Sequence, residues 1–466
     1  MSRLDHSDYG RGRSVPQGES MELYIHIPFC IRKCAYCDFL SGPADKEVQG
    51  RYMQALLWEV SLAGKMHRER MRKHGEEHNI EEVDTVFIGG GTPSVVDAVW
   101  ILRLMEQVRT SFCLAEDAEI TMEANPGTLT AEKLAQYRQA GINRLSLGLQ
   151  STDDGELRRL GRIHTYGEFL ENYRLAREAG FTNINIDLMS ALPGQTVESY
   201  ERTLRRVIAL GPEHISAYSL IIEEGTPFWQ RYGDDAEERE DETAEADDGE
   251  NDDAEHDGGE RKPTEKMDVW QLPTEDQDRQ MYHLTKSVLA EAGYDRYEIS
   301  NYARPGYACR HNVGYWTRVP YLGLGLGAAS YYGGQRFTNT REREEYLSLL
   351  EQEDEKRREA LPGDGKSLST AQPHGETQRL VALRREVETL TRQDAMEEFM
   401  FLGLRLTSGV SASAFETIFG RPMEEVYGPV LQKMQRQGLM ERAGQRWHLT
   451  DLGLDVSNYV LAEFLL

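Results

Sequence analysis

Three of the five cysteines in this chain, Cys30, Cys34 and Cys37, fall within eight residues, in the stretch Tyr24-Ile-His-Ile-Pro-Phe-Cys30-Ile-Arg-Lys-Cys34-Ala-Tyr36-Cys37-Asp-Phe39. Thiolates are the usual ligands of iron–sulfur clusters, and a C-x3-C-x2-C spacing lets one loop wrap several corners of a cubane. Three thiolates on a four-iron cluster leave one iron without a protein ligand, as three-ligand catalytic metal sites leave a position for substrate. The competing reading is a zinc site of Cys3His type that uses His26. It would draw all four ligands from one loop, whereas zinc sites come as separated pairs such as C-x2-C.

The elements that must position this loop alternate. Strand patterns run over Leu23–Ile27, Thr85–Ile88, Ala118–Glu123, Arg144–Leu149, Asn183–Leu188 and His214–Ile222. Helical patterns lie between them, over Val48–His67, Val95–Ser111, Ala131–Ala140, Tyr166–Ala179 and Val197–Leu210. Such alternation predicts an α/β fold of parallel strands with right-handed crossovers, a TIM-like barrel or part of one. Working residues of a barrel sit at the C-terminal strand ends. There this sequence places the cysteine loop, Gly89-Gly90-Gly91-Thr92-Pro93, Glu123-Ala-Asn125-Pro126, Gln150-Ser151 and Asp187. The glycine run lacks the Lys-Ser/Thr ending of a P-loop. Alone it reads as a tight turn; beside a cluster loop it reads as bare backbone that a ligand can approach.

Composition bounds the rest. A chain of 466 residues exceeds what one core usually serves, so a large domain and a smaller one are expected. Five cysteines are too few for a disulfide framework and fit a reducing, cytoplasmic setting. Residues 1–20 form a polar leader without the apolar core of a signal peptide, and no apolar run reaches membrane-span length. The formal charge is −26, of which Asp234 to Glu260 carries −15. Residues 233–266 therefore read as an acidic disordered insertion in a barrel domain spanning 21–345. Residues 350–388 read as a second, polar loop insertion. Residues 391–466 read as a small winged-helix-like α+β domain, with a wing around Gly438 to Thr450. Its seven Lys/Arg against ten Asp/Glu argue against nucleic acid as a partner.

Seven segments carry a family resemblance: Tyr24 to Cys30, Phe87-Ile-Gly-Gly-Gly-Thr-Pro93, Arg144-Leu-Ser-Leu-Gly-Leu-Gln-Ser151, Leu160-Gly-Arg-Ile-His164, Ile186 to Gln195, His214-Ile-Ser-Ala-Tyr218 and Tyr297-Glu-Ile-Ser-Asn301. They resemble the radical SAM group that contains oxygen-independent coproporphyrinogen III oxidase and the heme chaperone HemW. The resemblance implies a partial barrel of six β/α units. It also implies a 4Fe–4S cluster on Cys30, Cys34 and Cys37, whose open iron takes S-adenosylmethionine. It assigns S-adenosylmethionine contacts to Tyr24, Tyr36, Gly90, Gly91, Thr92, Glu123, Gln150, Arg162 and Asp187.

The two branches of that group differ in class. The oxidase branch resembles C-x3-C-x2-C-x-C, and Phe39 stands here at the fourth cysteine's place. The chaperone branch resembles this chain in that Phe and in a later element, here His311-Asn312-Val313-Gly314-Tyr315-Trp316. Imidazole is a common axial ligand of heme iron, and Tyr or Trp can pack on a porphyrin, so His311 becomes the expected heme contact; a lone His beside Asn otherwise reads as a structural residue. The leading reading is a heme chaperone that delivers heme to a respiratory apo-hemoprotein, served by an electron donor. It has no transmembrane segment, and peripheral membrane contact stays open. The alternative is radical decarboxylation of coproporphyrinogen III in porphyrin biosynthesis.

Overall fold

A computed structural model of the chain describes residues 20–73, 82–233, 270–359 and 374–466. All but the last residue of the polar leader and all but the first residue of the expected acidic insertion lie outside the described residues; Ser20 already belongs to the first strand. Six strands, β1 (Ser20–Ile27), β2 (Glu82–Gly90), β3 (Leu114–Ala124), β4 (Arg144–Gln150), β5 (Ile184–Ser190) and β6 (His214–Ser219), pair in chain order, all parallel. Between them run α1 (Lys46–Lys73), α2 (Ala98–Ser111), α3 (Ala131–Gln139), the pair α4 (Asp154–Arg159) and α5 (Tyr166–Glu178), and α6 (Val197–Leu210). Local chemistry sets the helix boundaries. Thr165 and Glu168 form a capping box at the start of α5, and Gly211 closes α6 in the left-handed region at φ 66°.

Period-2 alternation explains both faces of the sheet. In β1, Leu23, Ile25 and Ile27 are fully buried in the core shared with the helices. Glu22, Tyr24 and His26 point the other way, and the inward positions of the neighbouring strands are as polar: Thr85, Glu119, Arg144, Asn185 and His214 are all buried. This lumen is filled by hydrogen-bonded side chains. His214 Nδ1 lies 2.6 Å from Asn185 Oδ1 and its Nε2 lies 2.9 Å from the Tyr297 hydroxyl.

The six units form a partial barrel, and the sheet continues past both of its edges. After α7 (Pro227–Tyr232) and α8 (Glu275–Glu291), β7 (Asp295–Arg296) and β8 (Asn301–Ala303) extend the β6 edge antiparallel. Past α9 (Arg310–Thr317), β9 (Tyr321–Leu324) pairs with β1 in parallel, followed by β10 (Ala329–Tyr332) and β11 (Gln335–Asn339). Of the expected loop over 350–388, residues 360–373 lie outside the described residues, and both flanks are regular structure rather than loop. Helix α10 (Arg343–Glu359) runs into it, and α11 (His374–Leu383) and β12 (Arg384–Thr389) follow, with β12 pairing to β11. Charged residues hid this strand because it is an exposed edge, where charge blunts pairing with other chains.

The C-terminal unit comprises α12 (Arg392–Gly403), β13 (Val410–Ser411), α13 (Ala412–Phe419), α14 (Met423–Arg436) and the hairpin of β14 (Met440–Ala443) and β15 (Arg446–Leu449). Phe415, Tyr427, Leu431, Met434 and Trp447 give it a core of its own. Among the described residues no helix is long and apolar enough to cross a membrane.

Candidate cluster and cofactor site

The cysteine loop leaves β1 and is pinned at both ends. The Cys30 amide donates to the Gly42 carbonyl at 3.0 Å, and the Ala35 amide donates to the Leu160 carbonyl at 3.2 Å. On its other side the Phe228 amide donates to the Ala35 carbonyl at 3.1 Å, so α7 braces the loop. The three thiols are free and half-buried. Burial pushes the Cys37 thiol up, with backbone hydrogen bonding from Phe39 opposing it. Arg162 lies 3.7 Å from Cys34 Sγ through Nη1, a fixed positive charge of the kind that stabilises thiolates.

The donor set fits a cubane better than a single ion. Among the described residues no three His, Cys, Asp or Glu side chains converge as mononuclear metal ligands. Cubane thiolates sit on separate irons and need no common point. The Cys3His zinc reading fails at His26, whose ring is already committed. Nε2 lies 3.0 Å from the Leu40 carbonyl, which can only accept, so Nε2 carries the proton and Nδ1 accepts from the Tyr24 hydroxyl at 3.0 Å. His26 is also tightly enclosed: a Cβ on Gly90, whose φ is 114°, would lie 2.5 Å from its ring.

Most of the residues expected at the strand ends do converge there. Thr92 Oγ1 sits 3.6 Å from Cys30 Sγ and accepts from Asn125 Nδ2 at 2.7 Å. Arg162 Nη2 donates to Asn125 Oδ1 at 2.7 Å and to the Gly148 carbonyl at 2.5 Å. Asn125, one of the strand-end polar residues, thus ties the glycine loop to Arg162, a link that its sequence position alone does not report. Gln150, at a left-handed φ of 72°, turns its amide toward the Tyr218 hydroxyl at 3.5 Å. The close approach that the glycine run permits is made partly by the chain itself. A Cβ on Gly91 would lie 2.7 Å from the Phe29 carbonyl oxygen.

Two carboxylates face the mouth. Glu123 accepts from the Gly90 amide at 3.0 Å, and burial together with Asp187 pushes its pKa up to about 8. Burial also raises Asp187, against hydrogen bonds from Asn185 at 2.6 Å and from Ser146. Burial raises the Tyr24 and Tyr36 phenols, so both stay neutral donors. Phe39 is 69% exposed on the loop rim.

His311 is not brought to this mouth. It lies on α9 against the first halves of β1 and β2 and is 1% exposed. Nδ1 lies 2.6 Å from Thr85 Oγ1, Nε2 lies 2.9 Å from the Tyr315 hydroxyl, and the ring stacks on Phe87 at 5.2 Å. Burial lowers its pKa to about 3, so the ring is neutral. In this arrangement it presents no bare nitrogen to a heme iron.

Residues 24–207 match the Radical SAM superfamily, and residues 390–456 match the HemN C-terminal domain. The heme chaperone HemW of Lactococcus lactis is 32% identical, over 95% of this chain and 97% of its own length. The heme chaperone HemW of Escherichia coli is 34% identical, over 96% and 98%. The solved structure of Escherichia coli coproporphyrinogen III oxidase shares the fold, with a TM-score of 0.70 and 22% identity over 96% of this chain and 90% of that one.

Proposed function

Because this chain belongs to the heme chaperone HemW family of radical SAM proteins, we propose that it binds heme and delivers it to apo-hemoproteins, with a 4Fe–4S cluster and S-adenosylmethionine as resident cofactors. The observation that carries this reading is the length of the likeness: the Lactococcus lactis and Escherichia coli relatives bearing that name align over 95% and 96% of the chain, through both the barrel and the C-terminal unit. Cys30, Cys34 and Cys37 would hold the cluster. Tyr24, Tyr36, Gly90, Gly91, Thr92, Glu123, Gln150, Arg162 and Asp187 would surround S-adenosylmethionine, whereas the expected heme contact, His311, is bonded through both ring nitrogens to Thr85 and Tyr315 and is not part of this proposal. When bound, the cluster supplies an electron to the sulfonium, drawn from a reduced donor protein.

The chain's own residues prepare that site. Arg162, fixed by Asn125 and the Gly148 carbonyl, offers a positioned cation to a carboxylate. Glu123 and Asp187, once ionised, offer acceptors and negative charge to ribose hydroxyls and a sulfonium. The Tyr36 ring packs on the apolar cluster of Leu160, Met189, Leu192 and Phe228 and so anchors the loop. The heme acceptor would be a respiratory apo-hemoprotein.

The test is made on one anaerobically reconstituted preparation. Heme titration is followed by its absorbance, transfer to an apo-hemoprotein by regained activity, and coproporphyrinogen by decarboxylated product. The reading expects stoichiometric heme binding and transfer without porphyrinogen turnover. Turnover without stable heme binding would replace it by the oxidase reading.

A further inference from the structure

The segment Leu160-Gly-Arg-Ile-His164 ends on a histidine to which neither the cluster nor the cofactor contacts give a task. It follows α4 and is docked on the cysteine loop through the Leu160 carbonyl, which accepts from the Ala35 amide. A cleft opens at this junction, lined on its polar side by Cys34, Thr92, Asn125, Thr128, Arg162 and His164. Most of these groups are already engaged. Thr92 Oγ1 and both ends of the Asn125 amide hold the bonds described above. Thr128 Oγ1 donates to the Asn125 carbonyl at 2.6 Å and lies 2.5 Å from Ser94 Oγ. Arg162 commits Nη1 to Cys34 and Nη2 to Asn125 and Gly148. Two atoms are left over: Arg162 Nε and His164 Nε2 are buried without a hydrogen-bond partner among the described residues.

One of these orphans donates and the other accepts. A guanidinium Nε always carries its proton. His164 is 5% exposed, and its ring is hydrogen-bonded to the Leu149 backbone carbonyl, which can only accept. Because Nε2 has no partner, that bond falls to Nδ1 and places the proton there. Burial, and then the Arg162 charge, lower the pKa of the ring to about 4, so at neutral pH Nε2 is a bare lone pair. A buried donor and a buried acceptor two residues apart weaken the empty cleft, because their lost hydration is not replaced. Native structures keep such groups where a ligand or an ordered water completes them.

We propose that this cleft reads the amino-acid end of S-adenosylmethionine, with His164 Nε2 accepting from its amino group and Arg162 donating to its carboxylate. This rests on the S-adenosylmethionine reading of the site given above and adds His164 to it. The pair of orphans matches an α-amino acid in kind. A guanidinium edge suits a carboxylate, and a neutral imidazole accepts from an amine or ammonium without setting a second cation beside Arg162. A ligand that keeps the adenosyl group but lacks the amine leaves the Nε2 lone pair buried and unpaired. Sites built to hydrogen-bond a group reject the analogue without it for this reason.

The test compares two ligands, S-adenosylhomocysteine and its analogue without the amino group, by equilibrium dialysis on the anaerobically reconstituted full chain. His164→Phe keeps the bulk of the ring and removes the acceptor. It is expected to weaken S-adenosylhomocysteine by about tenfold and the desamino analogue by less than about twofold, at unchanged iron and sulfide. His164→Gln offers an amide oxygen in place of Nε2 and should retain most of the parent's preference for the amine. Equal losses for both ligands, as a merely structural ring or one that holds a water would give, would overturn the proposal, and so would no loss for either. Should His164→Phe fail to load its cluster, nitrogen-15 labelling of the histidine rings in the parent decides. The bare-nitrogen signal that is missing from His164→Gln is expected to move upfield with S-adenosylhomocysteine and not with the desamino analogue; a signal that moves with neither, or equally with both, would overturn it. A parent that binds neither ligand would remove the S-adenosylmethionine reading itself, and this inference with it.

Discussion

The raised pKa of Glu123 makes S-adenosylmethionine binding depend on pH with a calculable size. Burial and Asp187 hold Glu123 at about 8, against the Gly90 amide and the more distant Arg144 charge that favour ionisation. If the ligand requires the ionised carboxylate, its affinity follows the ionised fraction, about 3% at pH 6.5 and about 75% at pH 8.5. The expected gain is about 25-fold, levelling above pH 8.5, with one proton released per ligand bound below pH 8. The apparent pKa belongs to the Glu123–Asp187 pair, so Asp187→Asn should move the midpoint down rather than abolish it. Glu123→Gln keeps an acceptor but cannot ionise, and its profile should be flat. The assay is equilibrium dialysis or calorimetry on the reconstituted protein, with iron and sulfide measured at each pH to hold cluster content fixed. A change in parent affinity of less than about threefold over this range, or a Glu123→Gln profile that parallels the parent's, would refute the reasoning.

Asn125→Ala removes the acceptor of Arg162 and a donor to Thr92. It should weaken S-adenosylmethionine binding by about tenfold, the loss of one or two hydrogen bonds to a charged group, with cluster iron unchanged. Gly90→Ala forces a side chain into φ 114° and against the His26 ring. Its cost should be about 2 to 4 kcal/mol in urea denaturation, with reduced iron after reconstitution. Glu59 is fully enclosed by Tyr346, Asn339 and the Gly325 amide, and burial raises its pKa from 4.5 to about 7. An acid whose folded pKa is raised contributes stability that is complete below its unfolded pKa of 4.5 and lost as pH climbs through about 7. The parent should therefore lose about 3 kcal/mol more than Glu59→Gln across that window, measured by denaturation at its two ends.

The parallel strand and helix units were legible because both periodicities are clean. Leu23, Ile25 and Ile27 alternate with polar residues, and α6 begins and ends on the cap residues Thr196 and Gly211. The strand-end groups were legible for the same reason, since strand direction fixes which end carries the loops. Three features were hidden. The lumen residues Arg144, Asn185 and His214 sit in sequence as ordinary strand positions, and only closure of the sheet turns their faces together. Strand β12 was masked by Arg384, Arg385, Glu386 and Glu388, whose charge marks an edge as readily as a loop. The enclosure of His311 depends on Thr85 and Glu22, more than 220 residues away, which no local pattern reports.

Among the described strands β1 is made first, yet it lies between β2 and β9, with Glu22 opposite Tyr321 and Ile25 opposite Leu324. During synthesis its outer edge must wait for some 300 further residues before its partner emerges, a long-range pairing of the kind that slows folding. Through that interval the nascent chain carries an unpaired parallel edge beside the cysteine loop, which is open to aggregation and to premature oxidation of its thiols. Ribosome-bound chains truncated before Tyr321 should accordingly depend on holding chaperones, and metal loading should follow release rather than accompany translation.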